Sequence, residues 1–261
     1  MKSWQIVGAT TLGVAVVGII AWRRKSTPLV ATVHLSANVG MGAPNRRHDV
    51  IAVRRRLIAL GFWWAAGSGD VDAALINALK LVSSILRGQH VVRGAGLVDR
   101  NAKWLVDPNA PRWMKMPASG PGFVNYEITD LLDHHDFGTS WLADTIRAAG
   151  KVYGSQCTPI TINDVSLPQG GPTSDHKGHE CGLACDLRLP RRDGSAGGIT
   201  YKDPEYDRIA AAGQLRAFLA QPLTSRVLFN DPEFIAQGLC KRAQGHEHHI
   251  HVEIEPPVSH A

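Results

Sequence analysis

Two histidine-rich segments about sixty residues apart must meet for either to do chemistry, and this constrains the fold more than any other feature of the chain. The first reads His176-Lys177-Gly178-His179-Glu180-Cys181-Gly182-Leu183-Ala184-Cys185-Asp186, and the second Gly245-His246-Glu247-His248-His249-Ile250-His251-Val252-Glu253. They hold His176, His179, His246, His248, His249 and His251, six of the twelve histidines in 261 residues. On a β-strand, residues i and i+2 share a face. His249 and His251 therefore aim into one cleft, while Ile250 and Val252 turn towards a core. Asp186 opens the alternating run Asp186-Leu187-Arg188-Leu189, a strand start, and Gly182 permits a turn that returns His179 to it. Two imidazoles and a carboxylate are a donor set suited to a catalytic zinc with its fourth position open.

A metal so held acidifies water and polarises a carbonyl, and a nearby base must accept the proton. His249 fits the base, since it adjoins His251 without being needed as a ligand. His176 and His246 are placed to orient the site or stabilise an oxyanion. Glu180, Glu247 and Asp175 remain alternative bases on spacing. His248 should face away from His249 and is read as structural. His34, His48, His90 and His260 are read as ordinary histidines, and His134-His135 as part of a helical or turn-like segment.

The first residues carry a different signal. Trp4 to Trp22 form an uncharged apolar run bounded by Lys2 and by Arg23-Arg24-Lys25. Roughly twenty such residues span a bilayer, so residues 1–26 are expected to be a transmembrane anchor, with a secretory signal as the rival. The three basic residues after the run would keep the bulk of the chain in the cytoplasm. Net charge is +5, which favours anionic surfaces. No long basic tract with interleaved aromatics exists, so a nucleic-acid partner is not expected. Arg54-Arg55-Arg56, like the other short basic runs, reads as a solvated face or a membrane flank. Cys157, Cys181, Cys185 and Cys240 are read as disulfides or inert thiols rather than ligands, since thiolates would close the site.

Between these regions the pattern is helical. Val50, Val53, Leu57 and Leu60 recur at helical spacing with Asp49 as N-cap, and Gly61 ends that helix. Leu75, Leu79, Val82 and Leu86 mark a second helix over Asp72–Leu86, and a short third begins near Asp99. A Pro-rich stretch, 108–122, reads as a connection between domains. The remainder, 123–261, alternates expected helices (Trp141–Tyr153, Asp207–Leu219) with β-like runs (Pro159–Val165, Ala184–Leu189, Arg226–Asn230, His248–Ile254). The expected fold is α+β, a small antiparallel sheet with flanking helices.

Residues 44–107, with Asp49-Val50-x-x-Val53-x-x-x-Leu57-x-x-Leu60-Gly61-Phe62, Gly69-Asp70-Val71-Asp72 and Gly96-Leu97-Val98-Asp99, resemble the three-helix peptidoglycan-binding module, although Leu81-Val82 stands where that module carries Phe-Gln. The pattern Ser174-x-His176-x-x-His179-x-x-Gly182-x-x-x-Asp186 with Gly245-His246-Glu247-x-His249-Ile250-His251-Val252 resembles the penicillin-insensitive murein endopeptidases, zinc peptidases grouped with lysostaphin-type enzymes and D-alanyl-D-alanine carboxypeptidases. Ser166-Leu167-Pro168-x-Gly170-Gly171-Pro172 extends the match. This resemblance implies Zn2+ on His179, Asp186 and His251, with His249, His246 and His176 as catalytic or further active-site histidines. It implies peptidoglycan as partner, cleavage of peptide bonds next to D-alanine, and a cell-envelope location. That location conflicts with the charge-based topology, and a phage-type lysis protein would relieve the conflict. Trimming of stem peptides by a D,D-carboxypeptidase and a non-catalytic wall- or metal-binding scaffold are the alternatives. Oligomeric state is left open. Cys181, Cys185 and Glu180 depart from the endopeptidase pattern.

Overall fold

The computed structural model describes residues 32–88, 96–129, 134–154, 158–173, 178–195 and 197–257. The apolar run Trp4–Trp22 lies outside these residues, as do His90, Cys157, Asp175, His176 and His260. Among the described residues, no helix is long and apolar enough to cross a membrane.

The architecture mixes α and β. Strand β1 (Val39–Gly40) leads into helix α1 (Arg47–Ala59), a 3-10 turn at Trp63–Ala65 and helix α2 (Ala73–Arg87), and β2 (Leu97–Val98) returns to pair with β1. The apolar stripe behaves as its spacing requires, with Val50, Val53, Leu57, Leu75 and Ile85 fully buried. Asp72 caps α2 by accepting the Leu75 N–H at 2.8 Å, and Gly88 closes it in the left-handed conformation. The third helix shrinks to a 3-10 turn, Lys103–Leu105.

Asp49 is not the N-cap of α1, because the helix begins two residues earlier. Its buried carboxylate instead accepts the Ser36 and Ala37 N–H groups at 2.9 and 3.0 Å and the Ser36 hydroxyl at 2.7 Å. The basic run of α1 is not a solvated face either. Only Arg55 is exposed. Arg54 donates to the Ala65 and Asp70 carbonyls, both at 2.7 Å, and pairs with Asp72 at 2.8 Å. Arg56 donates to the carbonyls of Trp104 and Asp107. Both guanidinium groups fasten loops that lack their own ladder, a task their planar five-donor fork suits.

The stretch 108–122 connects the two halves as paired strands. Strand β3 (Trp113–Lys115) and strand β4 (Ser119–Gly120) come from it, followed by β5 (Phe123–Asn125) and β6 (Phe137–Thr139). β3 pairs with β6. Trp113 donates its main-chain N–H to Leu60 at 2.8 Å and its indole N–H to Pro168 at 2.8 Å. Its ring joins those of Phe62, Trp63, Trp64 and Phe137 in one aromatic cluster. The helical unit is thereby docked on the C-terminal half over one continuous core.

The C-terminal half continues with α3 (Ser140–Tyr153), β7 (Ile160–Ile162), β8 (Ala184–Arg188), α4 (Arg208–Leu219), β9 (Thr224–Leu228), α5 (Pro232–Ala236) and β10 (His249–Ile254). Among the described residues, six strands form a sheet in the order β4-β5-β7-β8-β10-β9. It is antiparallel apart from one parallel pair, β5 with β7, which α3 makes possible by carrying the chain from one side to the other. β9 ends two residues before the expected Asn230. That side chain is used elsewhere: its amide donates to Ala243 O at 2.7 Å and Glu247 Oε1 at 2.9 Å, while its own oxygen accepts the Ala243 N–H at 3.0 Å. Asn230 thus pins the loop that presents His246.

Candidate metal centre

The site is a consequence of strand register. β8 and β10 pair so that Asp186 lies opposite His251 and Arg188 opposite His249. Opposed residues project from the same face of the sheet. The other face receives Cys185, Leu187, Ile250 and Val252, all fully buried. His179 arrives from the turn before β8. Ser166 holds that turn by donating its hydroxyl to His179 O and accepting the Gly182 N–H at 2.9 Å. Gly182 has φ +65, and a Cβ there would stand 2.6 Å from Gly138 Cα and from the Trp113 ring. Only glycine allows the chain to double back so tightly.

Three ligand atoms converge. His179 Nε2 lies 3.1 Å from His251 Nδ1 and 3.3 Å from Asp186 Oδ1, and His251 Nδ1 lies 2.8 Å from Asp186 Oδ1. All three residues are buried. The tautomers follow from the remaining ring nitrogens. His179 Nδ1–H donates to Val165 O at 2.7 Å, and His251 Nε2–H donates to Glu253 Oε1 at 3.0 Å. In the neutral rings this leaves two imidazole lone pairs facing each other and a carboxylate oxygen. Such an arrangement is repulsive unless a cation occupies it. A tetrahedral ion with bonds of roughly 2.0–2.1 Å separates its ligands by about 3.3 Å, so the donor set fits a divalent metal. Without one, a proton takes the role. Burial works against a charged His251, but hydrogen bonds to Asp186 and Glu253 outweigh it and push the imidazole up to about 9.

Glu253 was not singled out in the sequence, although it continues the alternation His249, His251, Glu253. It orients the His251 imidazole, as outer carboxylates do in metal sites. Despite the burial that disfavours its charge, hydrogen bonds from His251 and Arg226 hold it down to about 2. Arg226 grips it through Nε at 2.9 Å and Nη2 at 2.5 Å.

His249 stands beside the triad, with Nε2 3.7 Å from Asp186 Oδ2. Burial pushes this imidazole down to about 4, so it is a neutral acceptor near neutral pH. The His246 ring lies 4.7 Å from that of His249 and 5.6 Å from that of His251. Its Nδ1–H donates to Gln244 O at 2.8 Å, which leaves Nε2 for other work. Burial lowers its pKa as well. His248 does not turn away. The strand begins only at His249, so the alternation rule does not reach back to it. Its ring lies 4.6 Å from that of His249, and both line a cavity of about 150 Å³ with Asp186, Asp164 and Arg188.

Glu180 follows His179, and its Oε2 accepts the Gly178 N–H at 3.1 Å. Glu247 is bonded to Asn230 rather than to the triad. None of Cys181, Cys185 and Cys240 is in a disulfide. Burial raises all three thiols, Cys181 to about 12 and Cys240 to about 11, so they are protonated and unsuited to binding a metal. A second buried group, Glu127, His135 and Asp164, also brings potential ligand atoms within 4.8 Å of one another. No spacing pattern in the chain signals it, because its members come from three separate segments. Compared with known proteins, the chain matches no family model and no curated protein.

Proposed function

We propose that this chain is a zinc-dependent murein endopeptidase, hydrolysing peptide cross-links next to D-alanine in peptidoglycan at the cell envelope. The observation that carries the reading is the convergence of His179 Nε2, Asp186 Oδ1 and His251 Nδ1 with a neutral, recessed His249 beside them. It is supported by the likeness of the two histidine motifs to those of the penicillin-insensitive murein endopeptidases.

When bound, zinc supplies Lewis acidity to a substrate carbonyl and makes water at the same position more acidic. The protein does the rest. Val165 and Glu253 fix the two ligand imidazoles in opposite tautomers. His249 accepts the proton of the attacking water and returns it to the leaving amine, the general-base then general-acid role. Asp186 serves both tasks, with Oδ1 turned to the ligand histidines and Oδ2 towards His249. His246 is the second imidazole at the reacting centre, placed to stabilise developing negative charge.

Incubating the full chain with purified sacculi, with zinc and with chelator, tests the reading. Cross-linked muropeptide dimers should become monomers only in the metal-loaded sample. Sacculi that release nothing under any metal condition would rule it out. Free D-alanine as the sole product would mean trimming of stem peptides instead.

A further inference from the structure

The face of α2 turned towards the C-terminal half carries Asn77, Lys80, Leu81 and Ser84, spaced one helical turn apart. Opposite stands the loop Gln169–Pro172 and Glu180, the residue after ligand His179. Between them lies a cleft of about 340 Å³. Its far wall is fixed: Pro168 O accepts the Trp113 indole N–H, and Gly171 N–H donates to Glu180 O at 2.8 Å. Gly170 marks where the walls come together. A Cβ there would lie 2.8 Å from both Leu81 Cδ1 and Glu180 O.

The lining carries one residue of each charge, Lys80 on the helix and Glu180 on the loop side, where Glu180 Oε2 also accepts the Gly178 N–H at 3.1 Å. Leu81 supplies an apolar floor, and Asn77 and Gln169 supply side-chain amides. No aromatic ring lines the cleft among the described residues, so it offers no stacking platform for a sugar face. We infer that this cleft is a substrate-binding subsite shared by the helical unit and the metal-binding half, and that its ligand is a peptide bearing both a carboxylate and an ammonium group. The inference rests on the proposed peptidase reading, and it makes the helical unit part of substrate recognition rather than a tether alone. A peptide held against Glu180 is held next to the turn that carries His179.

The probe is the stem pentapeptide L-Ala-γ-D-Glu-L-Lys-D-Ala-D-Ala, titrated calorimetrically into the zinc-loaded full chain carrying His249→Ala so that it is not consumed. Adding Lys80→Glu should weaken binding about five- to tenfold, because charge reversal replaces an attraction with a repulsion at a half-exposed site. Lys80→Arg should restore most of the affinity. Acetylating the peptide's lysine should weaken binding to the parent by a similar factor. In the chain with His249 intact, Lys80→Glu should raise KM on cross-linked muropeptides and leave kcat unchanged. Equal binding by parent and Lys80→Glu, or no binding by the parent, overturns the subsite. Lys80-dependent binding with no hydrolysis by the intact chain would instead overturn the peptidase reading and leave the subsite standing.

Discussion

Asp186 and His251 are partners in register across β8 and β10, and their side chains meet at 2.8 Å between Oδ1 and Nδ1. The ladder therefore sets the spacing of two candidate ligands. The third, His179, depends on a turn. Metal affinity should be most sensitive to the groups that aim the rings. Glu253→Gln leaves all three ligands in place but weakens the acceptor of His251 Nε2–H. It should lower zinc affinity about 10- to 100-fold, measured by competition with a chromogenic chelator. Unchanged affinity would show that Glu253 merely pairs with Arg226.

His249→Ala should separate binding from chemistry. On the proposed reading, its loss should cost about 10²–10⁴-fold in kcat while zinc content, measured by plasma emission, stays at the parent level. Loss of zinc in this variant would make His249 a ligand instead of a base.

The sheet half of the site was largely legible in the chain, and the reason is periodicity. Alternation in His249-Ile250-His251-Val252 has only one physical outcome on a strand, and Asp186-Leu187-Arg188-Leu189 gives the matching half. Partners across segments were less legible. The apolar pattern says that Arg54 and Arg56 flank a buried stripe, but not that loop carbonyls 48 and 51 residues beyond Arg56 would need its guanidinium. Likewise, Glu127, His135 and Asp164 lie together only because of how the chain folds back. His248 escapes the alternation because the strand starts one residue later, at His249.

Gly182→Ala should destabilise the protein by about 1–3 kcal/mol in chemical denaturation, because the added methyl is forced against Gly138 Cα from a positive φ. Zinc affinity should fall too, since the same turn carries His179. A destabilised variant with unchanged metal affinity would mean that the strands alone set the site.

Asp49 gives a pH-dependent outcome. Burial opposes its charge, but hydrogen bonds from Ser36 and Ala37 and the nearby His48 prevail, so its pKa falls below the ordinary 3.8. A carboxylate lowered on folding contributes stability that is complete above the unfolded value and disappears as pH falls through the folded one. Asp49→Asn should therefore cost about 1–2 kcal/mol at pH 7, and the gap between variant and parent should narrow below about pH 4. A gap independent of pH would assign the loss to packing instead of charge.

Trp113 reaches in two directions at once, to Leu60 on one side and Pro168 on the other. A shortened chain lacking everything before it would present bare indole and phenyl rings to water and would be prone to clump. The intact protein should accordingly melt in a single transition, with the helical unit and the sheet coming apart together.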